Sequence, residues 1–213
     1  MNIILIFEWI AFAFSLFLLH RRNDRKISLL LVILVATVVV EAIGYYYHRI
    51  LSKANHQFYN VSVPFIIILF LLIALKHYQK RTHTTIILAG IICYTLFAII
   101  NASVIQGMTR FCTYTYIAGA LLLVIAIAFY FLEVIRQPEH VSLKKEPMFW
   151  ISTGILILYL PKSILYAVFE YLAYYNQVME SFGATFHLVN KVLSVIFFCC
   201  LSYASICRLI YRN

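Results

Sequence analysis

Aspartate is almost absent from this chain. Asp24 is the only one in 213 residues. Metal-dependent catalysis needs His, Cys, Asp or Glu gathered at ligand spacing. Six of the seven histidines (His20, His48, His56, His77, His83 and His140) fall in or beside predicted loops, away from any acidic cluster. No nucleophile elbow or triad pattern occurs either. The expectation is therefore a protein that is not an enzyme, with no catalytic residues, no metal site and no resident cofactor.

Cysteines are few, and Cys93, Cys112, Cys199, Cys200 and Cys207 lack metal-ligand spacing. Only Cys112 falls in a predicted external loop, so no structural disulfide is expected. Charge is scarce too. Charged residues make up 12% of the chain and hydrophobic residues 64%, against roughly 25% and 45–50% in soluble domains. A water-soluble fold could not hide this much apolar surface. In lipid, only helices or a closed barrel satisfy the backbone. The near-unbroken Leu, Val and Ile of residues 29–40 lack the alternation of a barrel strand. Helices are expected.

A net charge of +9 could point to nucleic acid. The basic residues instead sit in short loops, with no basic arm and no soluble domain to carry one, so no nucleic-acid partner is expected. The lipid bilayer is the expected surrounding.

Seven apolar segments are present, at about residues 2–19, 27–47, 58–75, 84–102, 114–135, 148–172 and 184–206. Each has the roughly 20-residue length that a bilayer needs. The first lacks a basic leader and a small-residue cleavage site, and reads as a retained helix. Pro64 is expected in the first turns of segment three, where proline is tolerated. Pro161 is expected to kink segment six. No internal repeat occurs, so the bundle is expected to be one domain over residues 1–213.

Lys and Arg distribute unevenly. The first, third and fifth connections and the C-terminal tail hold twelve, while the other side holds three. By the positive-inside rule the N-terminus lies outside and the C-terminus is cytoplasmic. The expected architecture is an all-α membrane protein, a seven-transmembrane-helix bundle.

That orientation gathers the polar residues of the spans. His187, Asn190, Lys191 and Ser194 recur at i, i+3, i+4 and i+7, one face of a helix. Glu8, Glu41, Lys162 and Lys191 would lie roughly 9–15 Å beneath the external face. Tyr45, Asn60, Asn101, Tyr166, His187 and Asn190 belong to the same outer half. Isolated charge at depth is costly, so Glu8 and Glu41 are expected near Lys191 and Lys162, around a polar pocket open to the outside. The plainer alternative is polar glue between helices, with Lys162 snorkelling outward.

A sensor or receptor-like protein suits this asymmetry, since the chain carries no soluble output domain and would need a separate cytoplasmic-side partner. A lysine in the seventh helix is also a gross feature of retinal proteins, where Lys191 would bind the cofactor. Segment three, however, has no acidic counter-ion, and Lys191 lies nearer the outer face than the middle. A transporter would show polar residues through the full depth, and the inner half is nearly uncharged.

The runs Val40-Glu41-Ala42-Ile43-Gly44 and Asn55-His56-Gln57-Phe58-Tyr59-Asn60 carry a resemblance. So do Asn101 with Gln106-Gly107 and Thr113-Tyr114, Pro147-Met148-Phe149-Trp150-Ile151, and Asn190. Together they resemble a group of small uncharacterised bacterial seven-transmembrane-helix proteins over nearly the whole chain. Such proteins are often associated with sensor histidine kinases. The resemblance implies a multi-pass protein of the bacterial inner membrane with a signalling partner such as a histidine kinase. It implies no activity, and Lys162 and Lys191 lie outside its pattern.

Overall fold

The computed structural model describes residues 6, 9–13, 25–49, 55–136, 143–174 and 180–210. Among them all regular structure is helical. α1 is seen at residues 9–13. It is followed by α2 (Arg25–Arg49), α3 (His56–Leu75), α4 (Arg81–Ile100), α5 (Thr113–Ile135), α6 (Pro147–Tyr174) and α7 (Glu180–Ile210). Among the described residues, five stretches are long and apolar enough to cross a membrane: His56–Leu75, Arg81–Ile105, Thr113–Ile135, Pro147–Leu172 and Gly183–Cys207. In α2 the stretch Leu31–Tyr47 is apolar but shorter. The chain thus has the build of an integral membrane protein.

Several boundaries differ from expectation. α4 starts earlier, because Thr84 and Thr85 donate their hydroxyls to the Lys80 and Arg81 carbonyls and carry the helix into the polar loop. It also ends later, in a π-helical turn over Asn101–Ile105. Pro64 is not in the opening turns: α3 begins at His56, which puts the proline inside the helix. There it removes the amide that would bond the Asn60 carbonyl. α6 runs without interruption through Pro161, and nearby Ser163 donates to the Leu160 carbonyl at 2.7 Å.

The chain divides into two compact units. The first comprises Met1–Val35 and Glu139–Asn213, the second Ala36–Pro138. In the second, the start of α3 meets the segment before α5, and the end of α3 meets the end of α5. α3 and α5 therefore run parallel, with α4 antiparallel between their ends. Ile67, Phe70 and Leu71 of α3, Ile87 of α4 and Leu123 and Ile127 of α5 are fully enclosed.

In lipid, helices associate through close packing rather than expulsion of water. Gly119 of α5 provides such an approach. A Cβ there would meet Ile67 Cδ1 and the Tyr94 hydroxyl, both at 2.7 Å. Gly119→Val is expected to lower thermal stability in detergent by about 2 kcal/mol, the scale of core overpacking. Gly107, which meets nothing within 4 Å, tests the opposite cause of a glycine requirement. Its φ of 74° is a left-handed conformation that a side chain strains.

In the other unit α6 and α7 form an antiparallel hairpin. Trp150 meets Tyr203 edge-on at 4.5 Å, and Tyr166 meets Phe186 at 5.3 Å. Between them Gly154 lies where a Cβ would touch Cys200 Cβ at 3.0 Å.

Candidate functional site

The expected polar layer divides between the two units. Glu41, Tyr45, Asn60 and Asn101 belong to one, and Lys162, Tyr166, His187, Asn190 and Lys191 to the other. Glu8 lies outside the described residues.

Glu41 is half-buried and accepts a hydrogen bond from the Tyr59 hydroxyl at 3.4 Å. Gly44, one turn on, makes room for the same ring: a Cβ there would clash with the Tyr59 hydroxyl. The glycine therefore leaves room for the Tyr59 ring to reach the carboxylate. Asn55 precedes α3 but does not cap it; its amide donates to the Gly44 carbonyl at 3.4 Å. Tyr45 is exposed.

Asn60 and Asn101 are both buried, and each is used as a fastener. The Asn60 amide nitrogen donates to the Arg110 carbonyl at 2.8 Å, while its oxygen accepts from the Cys112 amide at 2.8 Å. Asn101 donates to Gln106 Oε1 at 2.9 Å and to Thr115 Oγ1 at 2.8 Å. Gln106 in turn donates to Thr113 Oγ1 and accepts from the Tyr114 amide. These bonds satisfy backbone and side-chain groups of the α4–α5 connection, which folds inward. The Cys112 thiol, buried beside them, has its pKa pushed up by burial, with the Arg110 charge opposing. It is thus not set up as a reactive thiolate.

Beside this end lies a cavity of about 640 Å³, lined by Ala42, Ile43, Tyr46, Tyr47, Asn55, Gln57 and Phe58. Glu41 and Gly44 turn toward Tyr59, so the face of α2 that lines the cavity offers aromatic and aliphatic groups without a carboxylate.

In the α6–α7 unit the Lys162 ammonium stands 5.9 Å over the Tyr166 ring. Lys191 and His187 are exposed, not enclosed by the hairpin. Asn190 is half-buried, with its Oδ1 enclosed and without a hydrogen-bond partner. Ser194 is buried. The four residues share a helix face as the spacing implies, but that face grades from buried at Ser194 to exposed at Lys191.

A second polar cluster joins Glu133, in the last turn of α5, to His83, one of the histidines expected in or beside a loop. Glu133 is buried. It accepts from the Gln79 amide at 2.6 Å, the Lys80 amide at 3.2 Å and His83 Nδ1 at 2.6 Å. The His83 ring stacks on Phe129 at 4.5 Å. Tyr78 donates to the Ala126 carbonyl at 2.7 Å, and its phenol is pushed above the ordinary range, first by burial and then by the Glu133 carboxylate. One signal was available. A carboxylate in the last turn of a helix opposes the macrodipole, so Glu133 needed partners elsewhere. α4 lacks an acidic residue in its first turn. Glu133 supplies the missing negative charge from the neighbouring helix.

The described residues contain no group of three or more His, Cys, Asp or Glu able to hold a metal ion. Comparison with protein-family models, curated proteins and solved structures returns no match.

Proposed function

We propose that the chain is a sensor- or receptor-type protein of the bacterial inner membrane, with seven spans, its N-terminus outside and its C-terminus cytoplasmic. It takes up a small, largely apolar ligand at the α2–α3 cavity and acts with a separate signalling protein such as a histidine kinase. The observation that carries this reading is the cavity itself. It combines the Tyr46, Tyr47 and Phe58 rings with the amides of Asn55 and Gln57, the mix of apolar wall and few polar groups typical of ligand sites. The Lys/Arg asymmetry assigns that end of α2 and α3 to the outer side. The retinal alternative gains nothing from Lys191, whose exposure does not suit a buried Schiff base.

Native mass spectrometry of the protein in mild detergent tests this. A non-covalent small molecule is expected, with occupancy falling roughly tenfold in Tyr46→Ala, the scale of one lost aromatic contact. A covalent adduct on Lys191 would instead establish a retinal-type cofactor. A clean apo mass after incubation with membrane extract would sink the ligand reading and leave the polar residues as helix fasteners.

A further inference from the structure

We infer that the first two turns of α3, residues 56–63, form a lever hinged at Pro64 that passes occupancy of the α2–α3 cavity to the α4–α5 connection; this rests on the reading of that cavity as the ligand site. The hinge has a backbone cause. Pro64 has no amide for the Asn60 carbonyl, so α3 lacks one bond of its ladder there. Anchoring changes at the same place. After Pro64 the buried side chains of α3 are all apolar, from Ile66 to Ala74. Before it they are Asn60 and Ser62. Ser62 donates to the Phe58 carbonyl of its own helix at 2.9 Å, and Val61 is 63% exposed. The core therefore grips α3 beyond the proline, and polar contacts place the turns ahead of it.

Those contacts are unequal. Toward α2, Asn55 reaches the Gly44 carbonyl and the Tyr59 hydroxyl reaches Glu41, both at 3.4 Å, longer than an ordinary hydrogen bond. Toward the α4–α5 connection, Asn60 donates to the Arg110 carbonyl and accepts from the Cys112 amide, both at 2.8 Å. Gln57 and Phe58, on the same two turns, line the cavity. An occupant that presses on Phe58 meets long, yielding contacts on the α2 side and short ones on the other. A helix end hinged at a proline swings as a unit. The displacement therefore reaches Asn60 and loosens its hold on Cys112.

The Cys112 amide reads this movement, because its hydrogen is the one that Asn60 Oδ1 accepts. Ala42 lines the cavity from α2, and Ala42→Trp puts a side chain where a ligand would lie. In detergent, hydrogen–deuterium exchange at Cys112 is expected to accelerate about fivefold in Ala42→Trp, the scale of one weakened hydrogen bond. Exchange at Leu123, enclosed in the middle of α5, should stay unchanged. Adding Pro64→Ala restores the missing backbone bond and should bring the acceleration below about twofold. Unchanged Cys112 exchange in Ala42→Trp would overturn the lever, and so would full acceleration with Pro64→Ala present. If Leu123 also speeds up, the insertion has loosened the whole unit, and Ala42→Leu, a smaller insertion, is judged by the same two criteria. No ligand is needed. Failure here with a small molecule still found by native mass spectrometry removes the lever alone, whereas a clean apo mass removes the ligand site.

Discussion

Glu133→Ala is expected to cost roughly 3 kcal/mol of stability, because it strands His83 and two backbone amides that share one buried carboxylate. The effect should be large for two reasons. Glu133 has almost no exposure, so water replaces its bonds poorly. It also joins the end of α5 to the start of α4 across the α3–α4 connection. Thermal unfolding in detergent measures the loss, and amide exchange at Gln79 and Lys80 should accelerate with it. His83→Ala is expected to cost less, about 1–2 kcal/mol, since it removes one bond and the stack on Phe129. In the double variant the losses should fall short of additive by about 1 kcal/mol or more, the signature of residues in direct contact. A change under about 0.5 kcal/mol for Glu133→Ala would mean that Tyr78 and its bond to the Ala126 carbonyl hold the connection without the carboxylate.

Asn60→Ala is the second large effect, about 2–3 kcal/mol, from the Arg110 carbonyl and the Cys112 amide left without their partner. Asn60→Asp separates the two bonds. It keeps an acceptor for Cys112 but turns a carboxylate toward the Arg110 carbonyl, and is expected to be at least as damaging. This outcome distinguishes a fastener from a ligand contact. A structural Asn60 lowers the unfolding temperature and disturbs the α4–α5 connection. A binding Asn60 would leave unfolding unchanged and abolish only the ligand mass.

The polar residues show where sequence patterns carry weight. Asn60 and Asn101 stand out in an apolar chain because a buried amide demands partners. Their burial was legible in that sense, but their partners were not. Arg110 and Cys112 lie some fifty positions from Asn60, and only packing brings the loop back over the start of α3. Glu133 ends α5, and only the fold brings it to the Gln79 and Lys80 amides just before α4, a helix with no acid in its own first turn. Lys191 illustrates the reverse. Its helix face is correctly spaced, yet spacing specifies only which residues share a side, and the packing of α6 on α7 leaves that lysine exposed.

The sequence by itself determined that this chain is helical and suited to a membrane. Both follow from local quantities: the length of apolar runs, the scarcity of charge and the absence of strand alternation. The Lys/Arg asymmetry that underlies the proposed orientation is of the same kind, a count along the chain. Only the tertiary structure decided which polar groups serve each other. Hydrogen bonds reach about 3 Å, so partners depend on how helices approach, and that approach turns on Gly44 making room for Tyr59 and Gly119 for Tyr94 and Ile67.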